Sequence, residues 1–299
     1  MHSILQVVSL AGRVVESWLG RRWPLLGGVK LTHDCNLSCV HCPFWKRERV
    51  SLTFPQTVDA LETLRRMGVR FVIFEGGEPF VWRDGDSTLA DVVREARKRF
   101  VCVGVTTNGT HPIEVDSDIV WVSIDGMEET HDRIRGPTFE QILSNIDASS
   151  HPNLYAHLTI NALNHREIRD LVPFLAPRVR GITVQFHYPF GGSDDPLTLP
   201  WDDRRRVLEE LIELKQAGFP IADSVACLEA LKENRWRCRP WLVASVDPDG
   251  SVTSGCYVKT RGRVSCANCG YAAHAELSLA FGGRPGPALA GLRIFSRHR

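Results

Sequence analysis

The sequence has no uninterrupted apolar run of about 18 residues, the length a membrane-crossing helix requires. The nearest approach, ILQVVSLAGRVVESWLG at residues 4–20, is broken by Arg13 and Glu16. That interruption excludes a signal peptide and a membrane anchor, and predicts a leading amphipathic helix over residues 1–26 that packs on the rest of the fold. An excess of charge of either sign is missing too, since 36 Lys and Arg face 35 Asp and Glu. Without a basic field, nucleic acid and anionic membrane surfaces are excluded as partners, whereas a small, locally charged substrate is not. Internal repeats and low-complexity tracts are also absent.

A disulfide framework is a further absence. The nine cysteines are odd in number, and seven of them cluster as Cys35, Cys39 and Cys42, and as Cys256, Cys266 and Cys269 with Cys238 upstream. This pattern speaks for metal ligation in a reducing cytoplasm. Cys102, in an apolar strand, and Cys227, on a helix face, stand outside both groups and read as small buried hydrophobes.

What is present is an alternation of β-like and helical runs. The strands are VKLTH, FVIFEG, VCVGVTTNG, IVWVSID, YAHLTIN and GITVQFHYP; the helices are TVDALETLRRMG, DVVREARKR, FEQILSNIDA, EIRDLVPFLA and DDRRRVLEELIELKQAG. Near-continuously apolar strands alternating with helices predict parallel βαβ units. The expected fold class is therefore α/β, a partial (β/α)6 TIM-type barrel over residues 27–218. Residues 191–200, GGSDDPLTLP, read as a loop able to cover its mouth. A small C-terminal extension is expected over residues 219–281, with a helix near SVACLEALKEN and a β-hairpin turning at Asp249-Gly250. Residues 282–299 read as a loose tail.

Cys35, Cys39 and Cys42 lie just past the first strand, where such a barrel carries its active site. Three thiolates hold a 4Fe-4S cube while leaving one iron without a protein ligand. A zinc site, with His33 or His41 as the fourth ligand, fits the same spacing.

Four ordered motifs narrow this choice: Cys-x3-Cys-x2-Cys after the first strand, Gly76-Gly77-Glu78-Pro79 after the second, Thr107-Asn108-Gly109 after the third and Ser123-Ile124-Asp125-Gly126 after the fourth. In these, and over roughly residues 28 to 270, the chain resembles the radical S-adenosylmethionine (radical SAM) superfamily. The resemblance implies S-adenosylmethionine bound to the open iron, and its reductive cleavage to a 5′-deoxyadenosyl radical that abstracts hydrogen from a substrate carbon. It also implies an electron donor such as flavodoxin or ferredoxin. Gly76 and Gly77 would let backbone approach the methionyl part, Glu78 would accept from its ammonium, and Pro79 completes the loop. Asn108, Ser123 and Asp125 would face the ribose or methionyl group, and Arg135 would pair with the carboxylate through its planar fork. His41 stands where the family usually has an aromatic residue against the adenine. Glu75 replaces a small or apolar residue and would reach substrate or neutralise a nearby base.

Cys238, Cys256, Cys266 and Cys269 supply four thiolates around the hairpin, enough to close a second 4Fe-4S cube. They resemble the twitch extension, a shortened relative of the SPASM domain, whose auxiliary cluster would exchange an electron with a substrate radical. A structural zinc site is the alternative. Gln185, His187 and Tyr188 at the sixth strand end, with Asn161 at the fifth, are candidate substrate contacts, and equally candidate caps. His274 and Glu276, two residues apart, cannot share a helix face as an acid/base pair.

The expected function is that of a radical SAM oxidoreductase or isomerase. No leader-peptide-binding segment precedes the barrel, so the expected substrate is a small molecule, sugar or lipid. Adenosyl addition to an alkene stays open, because CANCGYAAHAE resembles the tail of hopanoid adenosyl transferases. So do a zinc-stabilised binding protein and a catalytically idle maturation partner.

Overall fold

The computed structural model describes Glu16, residues 20–190, Gly192 and residues 194–295. The leading helix expected over residues 1–26 thus lies almost wholly outside the described residues. In chain order the elements are β1 (Leu26–Lys30), α1 (Phe54–Met67), β2 (Phe71–Glu75), β3 (Arg83–Asp84), β4 (Ser87–Thr88), α2 (Leu89–Arg97), β5 (Cys102–Thr107), β6 (Ile119–Ser123), α3 (Glu128–Arg135) and α4 (Phe139–Ala148). They continue with β7 (Leu154–Ile160), α5 (Ile168–Leu175), β8 (Gly181–Phe186), α6 (Trp201–Gln216), α7 (Val225–Lys232), β9 (Val243–Val246), β10 (Val252–Ser254), α8 (Ala272–Ala280) and α9 (Pro285–Phe295). None of the described helices is long and apolar enough to cross a membrane.

One sheet organises the chain, with strand order β10-β9-β1-β2-β5-β6-β7-β8. Its six central and distal strands, β1 through β8 without the small β3–β4 ribbon, pair in parallel, as the sequence periodicity predicts. Their outward residues, such as Val29, Phe74, Val105, Val122, Leu158 and Val184, are buried against the helices in two large cores. Local signals set the helix ends. In α1, Thr53 and Gln56 form a capping box and Gly68 closes the helix at φ 105°, the left-handed conformation that glycine adopts without a Cβ penalty.

The C-terminal hairpin prolongs the main sheet, because β9 pairs in parallel with β1 from Leu26↔Val243 to Val29↔Val246. The stretch read as a loose tail contains α9, whose Phe295 stacks on Phe71 with ring centroids 4.8 Å apart. With Trp121, Tyr155 and Phe281 it closes the end of the sheet away from the cysteine loop. Helix α3 was not foreseen, since EETHDRIR is mostly charged and shows no apolar stripe.

Candidate active site

Strand alternation makes the inner face of the sheet polar toward its C-terminal edge. Gly28, Glu75, Thr106, His157 and Gln185 there retain partial exposure in an otherwise buried sheet. His157 Nδ1 lies 2.9 Å from Thr183 Oγ1, and Gln185 Nε2 donates to Thr159 Oγ1 at 3.2 Å. Burial lowers His157 to about 4, so its imidazole is neutral at physiological pH.

The loop after β1 carries Cys35, Cys39 and Cys42, all free thiols. Two glycines seat it. A Cβ on Gly77 would lie 1.9 Å from the Asp34 carbonyl oxygen, and one on Gly76 2.7 Å from that of Thr32. Gly77 N and Glu78 N donate to those same oxygens at 2.7 and 2.8 Å. The glycine pair thus presses the β2 loop against the cysteine loop. Beside it stands Glu78. It is fully buried, accepting from Phe80 N (3.0 Å), Thr107 Oγ1 (2.8 Å) and Asn108 N (2.6 Å), and so clamps the ends of β2 and β5 together. Burial raises it to about 7. Asn108 turns to the cysteine loop, donating to Asn36 Oδ1 at 2.8 Å and reaching Cys35 Sγ at 3.8 Å.

Asp125 and Arg135 form the electrostatic frame of the trio. Arg135, on α3, donates from Nε to Asp125 Oδ2 at 2.6 Å, and its Nη1 lies 3.9 Å from Cys39 Sγ. It is buried beside the thiols, with Asp125 on its Nε. Asp125 also accepts from Thr159 N at 2.7 Å, and His41 Nε2 is 3.7 Å from its Oδ2. Burial lowers His41 to about 4 and leaves its Nδ1 without a hydrogen-bond partner. Cys39 is pushed up to about 11 by burial, opposed by Arg135 and reinforced by the Cys42 and Cys35 sulfurs beside it. Ser123 ends β6 in register with His157, and Pro79 opens a buried 3-10 turn.

The sulfurs of the second set lie near enough to act on one another. Burial and the sulfurs of Cys269, Cys256 and Cys266 push Cys238 up to about 12. Three of the chain's four tyrosines lie beside this set: Tyr188 and Tyr271 rings are 5.7 Å apart, Tyr257 and Tyr271 5.5 Å. Tyr188 donates to Arg263 O and accepts from Ser265 N, both at 2.6 Å. It ties down the cysteine segment. Asn161 is a cap as well, accepting from Leu163 N at 2.9 Å while its own N donates to Asn164 Oδ1. His187 pairs with Asp195 at 2.8 Å and holds the loop expected over the mouth, with residues 191 and 193 of that loop outside the described residues.

Glu75 neutralises bases, Lys30 at 3.2 Å and Arg261 at 3.7 Å. The sequence reading missed both partners. Lys30 carried a signal, a lysine ending an apolar strand run; Arg261 carried none. Cys102 and Cys227 are buried as expected. Among the described residues, the one set of Cys, His, Asp or Glu with donor atoms all within 4.8 Å is Asp223, Cys227 and Glu276. Its members are engaged locally, by Val184 N, Ala272 O and Ser224.

Residues 29–175 match the model of the Radical SAM superfamily. Fe-coproporphyrin III synthase of Methanosarcina barkeri is 26% identical over 212 residues, 64% of this chain and 52% of that protein, so the chain spans about half its length. AdoMet-dependent heme synthase of the same organism is 28% identical over 283 residues, 83% of this chain and 77% of the relative. The fold matches the crystal structure of Streptococcus suis SuiB bound to its precursor peptide SuiA, with a TM-score of 0.66 at 14% identity over 98% of this chain and 76% of that one. Residues 29–175, the part that matches the Radical SAM superfamily, carry the cysteine trio and the three loop motifs that frame it.

Proposed function

We propose that Cys35, Cys39 and Cys42 hold a 4Fe-4S cluster and that the enzyme reductively cleaves S-adenosylmethionine to abstract hydrogen from a polar small molecule, ending in its oxidation or epimerisation. The bound cofactors supply a 5′-deoxyadenosyl radical. The protein's part is to position, to shield from water and to set charge. We read the parallel strands β1 to β8 as a partial barrel whose mouth holds the trio. Asp125 and Arg135 are the charged pair beside it, and His41 is the neutral ring of that wall.

The carrying observation is the donor set itself: three clustered thiols with a buried guanidinium against one of them. A tetrahedral zinc site brings sulfurs to about 3.8 Å of one another, from Zn–S bonds of about 2.3 Å. Among the described residues, neither thiol set, alone or with a histidine, closes within 4.8 Å. This supports a cube, whose irons and sulfides hold the thiolates apart, over a tetrahedral zinc. The same reasoning supports a twitch-like auxiliary 4Fe-4S cluster on Cys238, Cys256, Cys266 and Cys269, reduced or oxidised by way of a flavodoxin or ferredoxin in a reducing compartment.

Polar inner-face residues favour a hydrophilic substrate over a lipid. The relatives named for haem and Fe-coproporphyrin synthesis favour a small molecule over a peptide. Anaerobically reconstituted protein with dithionite should release 5′-deoxyadenosine, and Ala at Cys35, Cys39 or Cys42 should abolish it; undiminished release from those variants rules the proposal out.

A further inference from the structure

Helix α6 opens with three consecutive arginines that have different surroundings. Arg205 pairs with Asp202 and Glu233, and Arg206 with Asp203, all at the surface. Arg204 turns inward and is 5% exposed. No carboxylate among the described residues pairs with it. Its Nη2 donates to the Cys269 carbonyl oxygen at 2.8 Å, its Nε has no hydrogen-bond partner, and its guanidinium lies over the rings of Phe186 (4.5 Å) and Trp201 (4.7 Å). A guanidinium stays protonated at neutral pH, so this side chain is a buried cation.

A buried cation without an anion is unfavourable, and a protein keeps one where a negative group faces it. Here the negative group at hand is sulfur. Four thiolates around a metal centre carry such charge, whereas four neutral thiols do not. The first set differs, since its guanidinium, Arg135, already has Asp125 as partner.

We propose that Arg204 is the counter-cation of the metal–thiolate group on Cys238, Cys256, Cys266 and Cys269, and that it raises the reduction potential of that group. The proposal rests on the reading of this set as an iron-sulfur site. One-electron reduction makes the group more negative, and a fixed cation nearby favours the reduced form. Arg204 is a positioning and tuning residue, with no contact to substrate.

The test uses full-length protein with Cys35, Cys39 and Cys42 replaced by Ala, reconstituted anaerobically and titrated potentiometrically with electron paramagnetic resonance and absorbance as readouts. Arg204→Gln should lower the midpoint potential by at least the equivalent of about tenfold in the reduction equilibrium, about 59 mV for one electron. Arg204→Lys should keep most of the original value. Trp201→Glu, which sets a carboxylate beside the guanidinium at a partly exposed position without removing it, should lower the potential as well, and serves if Arg204→Gln fails to fold. An unmoved potential at equal iron content overturns the role of Arg204 alone. Absence of iron from the parent triple variant overturns the iron-sulfur reading of the second set, and the proposal with it.

Discussion

Lys30 Nζ lies 3.2 Å from Glu75 Oε1 across the parallel pair β1–β2, in a register that sets the two residues opposite each other. The lysine side chain is 2% exposed, and its ammonium also faces the rings of Phe44 (4.2 Å) and Tyr257 (5.1 Å). Desolvation alone would lower its pKa; Glu75 reverses that and holds it above the ordinary value.

Removing Glu75 therefore strands Lys30, while Arg261 keeps Asp247 at 2.8 Å. Glu75→Ala should destabilise the protein by about 3 kcal/mol, the scale for breaking a buried pair. Lys30→Met should cost less, because Arg261 still neutralises the carboxylate. Urea unfolding of both variants checks the order, and equal losses would contradict it.

Gly77→Ala forces a Cβ into the Asp34 carbonyl oxygen. Backbone cannot yield there without moving the cysteine loop, so the variant should lose iron on reconstitution along with about 3 kcal/mol of stability. Gly291→Ala in α9 meets nothing within 4 Å. It should be neutral to stabilising by about 0.5–1 kcal/mol in thermal unfolding.

Arg135→Lys keeps the charge but loses the fork that spans Asp125 and Cys39. Loss of such an outer partner typically weakens metal affinity about 10–100-fold. Iron retention against a chelator should show that loss for Arg135→Lys, while Arg133→Lys, outside the Asp125–Cys39 bridge, leaves retention unchanged.

His274, buried on α8, is lowered to about 4 by burial alone. Below the unfolded value of about 6.5 the unfolded chain takes up a proton that the native site refuses. Stability should fall as pH drops from about 6.5 to 4, by about 3 kcal/mol from this residue when complete. His274→Leu should flatten that part of a denaturation profile; an unchanged slope would show that the ring is solvated in the native protein.

The order of strands and helices was legible because each depends on a local period: two-residue alternation or near-continuous apolar runs for strands, and capped amphipathic turns for helices. The cysteine groups were legible too, since metal-like spacing is itself local. The charged helix α3 and the short β3–β4 ribbon left no such trace.

Partners far apart in the chain were beyond that reach. Glu78 carries the same letter whatever it accepts from, and only packing reveals Thr107 and Asn108 as its partners. Arg135 meets Cys39 across 96 residues, and Arg47 donates to the Arg261 carbonyl across 214. Of the three arginines at 204–206, burial singles out one, a distinction made by what surrounds a helix face. The sequence by itself determined most of the strands and helices and grouped the thiols by their spacing. Tertiary structure decided which polar groups are consumed in holding the loops together and which charges are left facing the sulfurs, because desolvation and pairing depend on neighbours that chain order does not reveal.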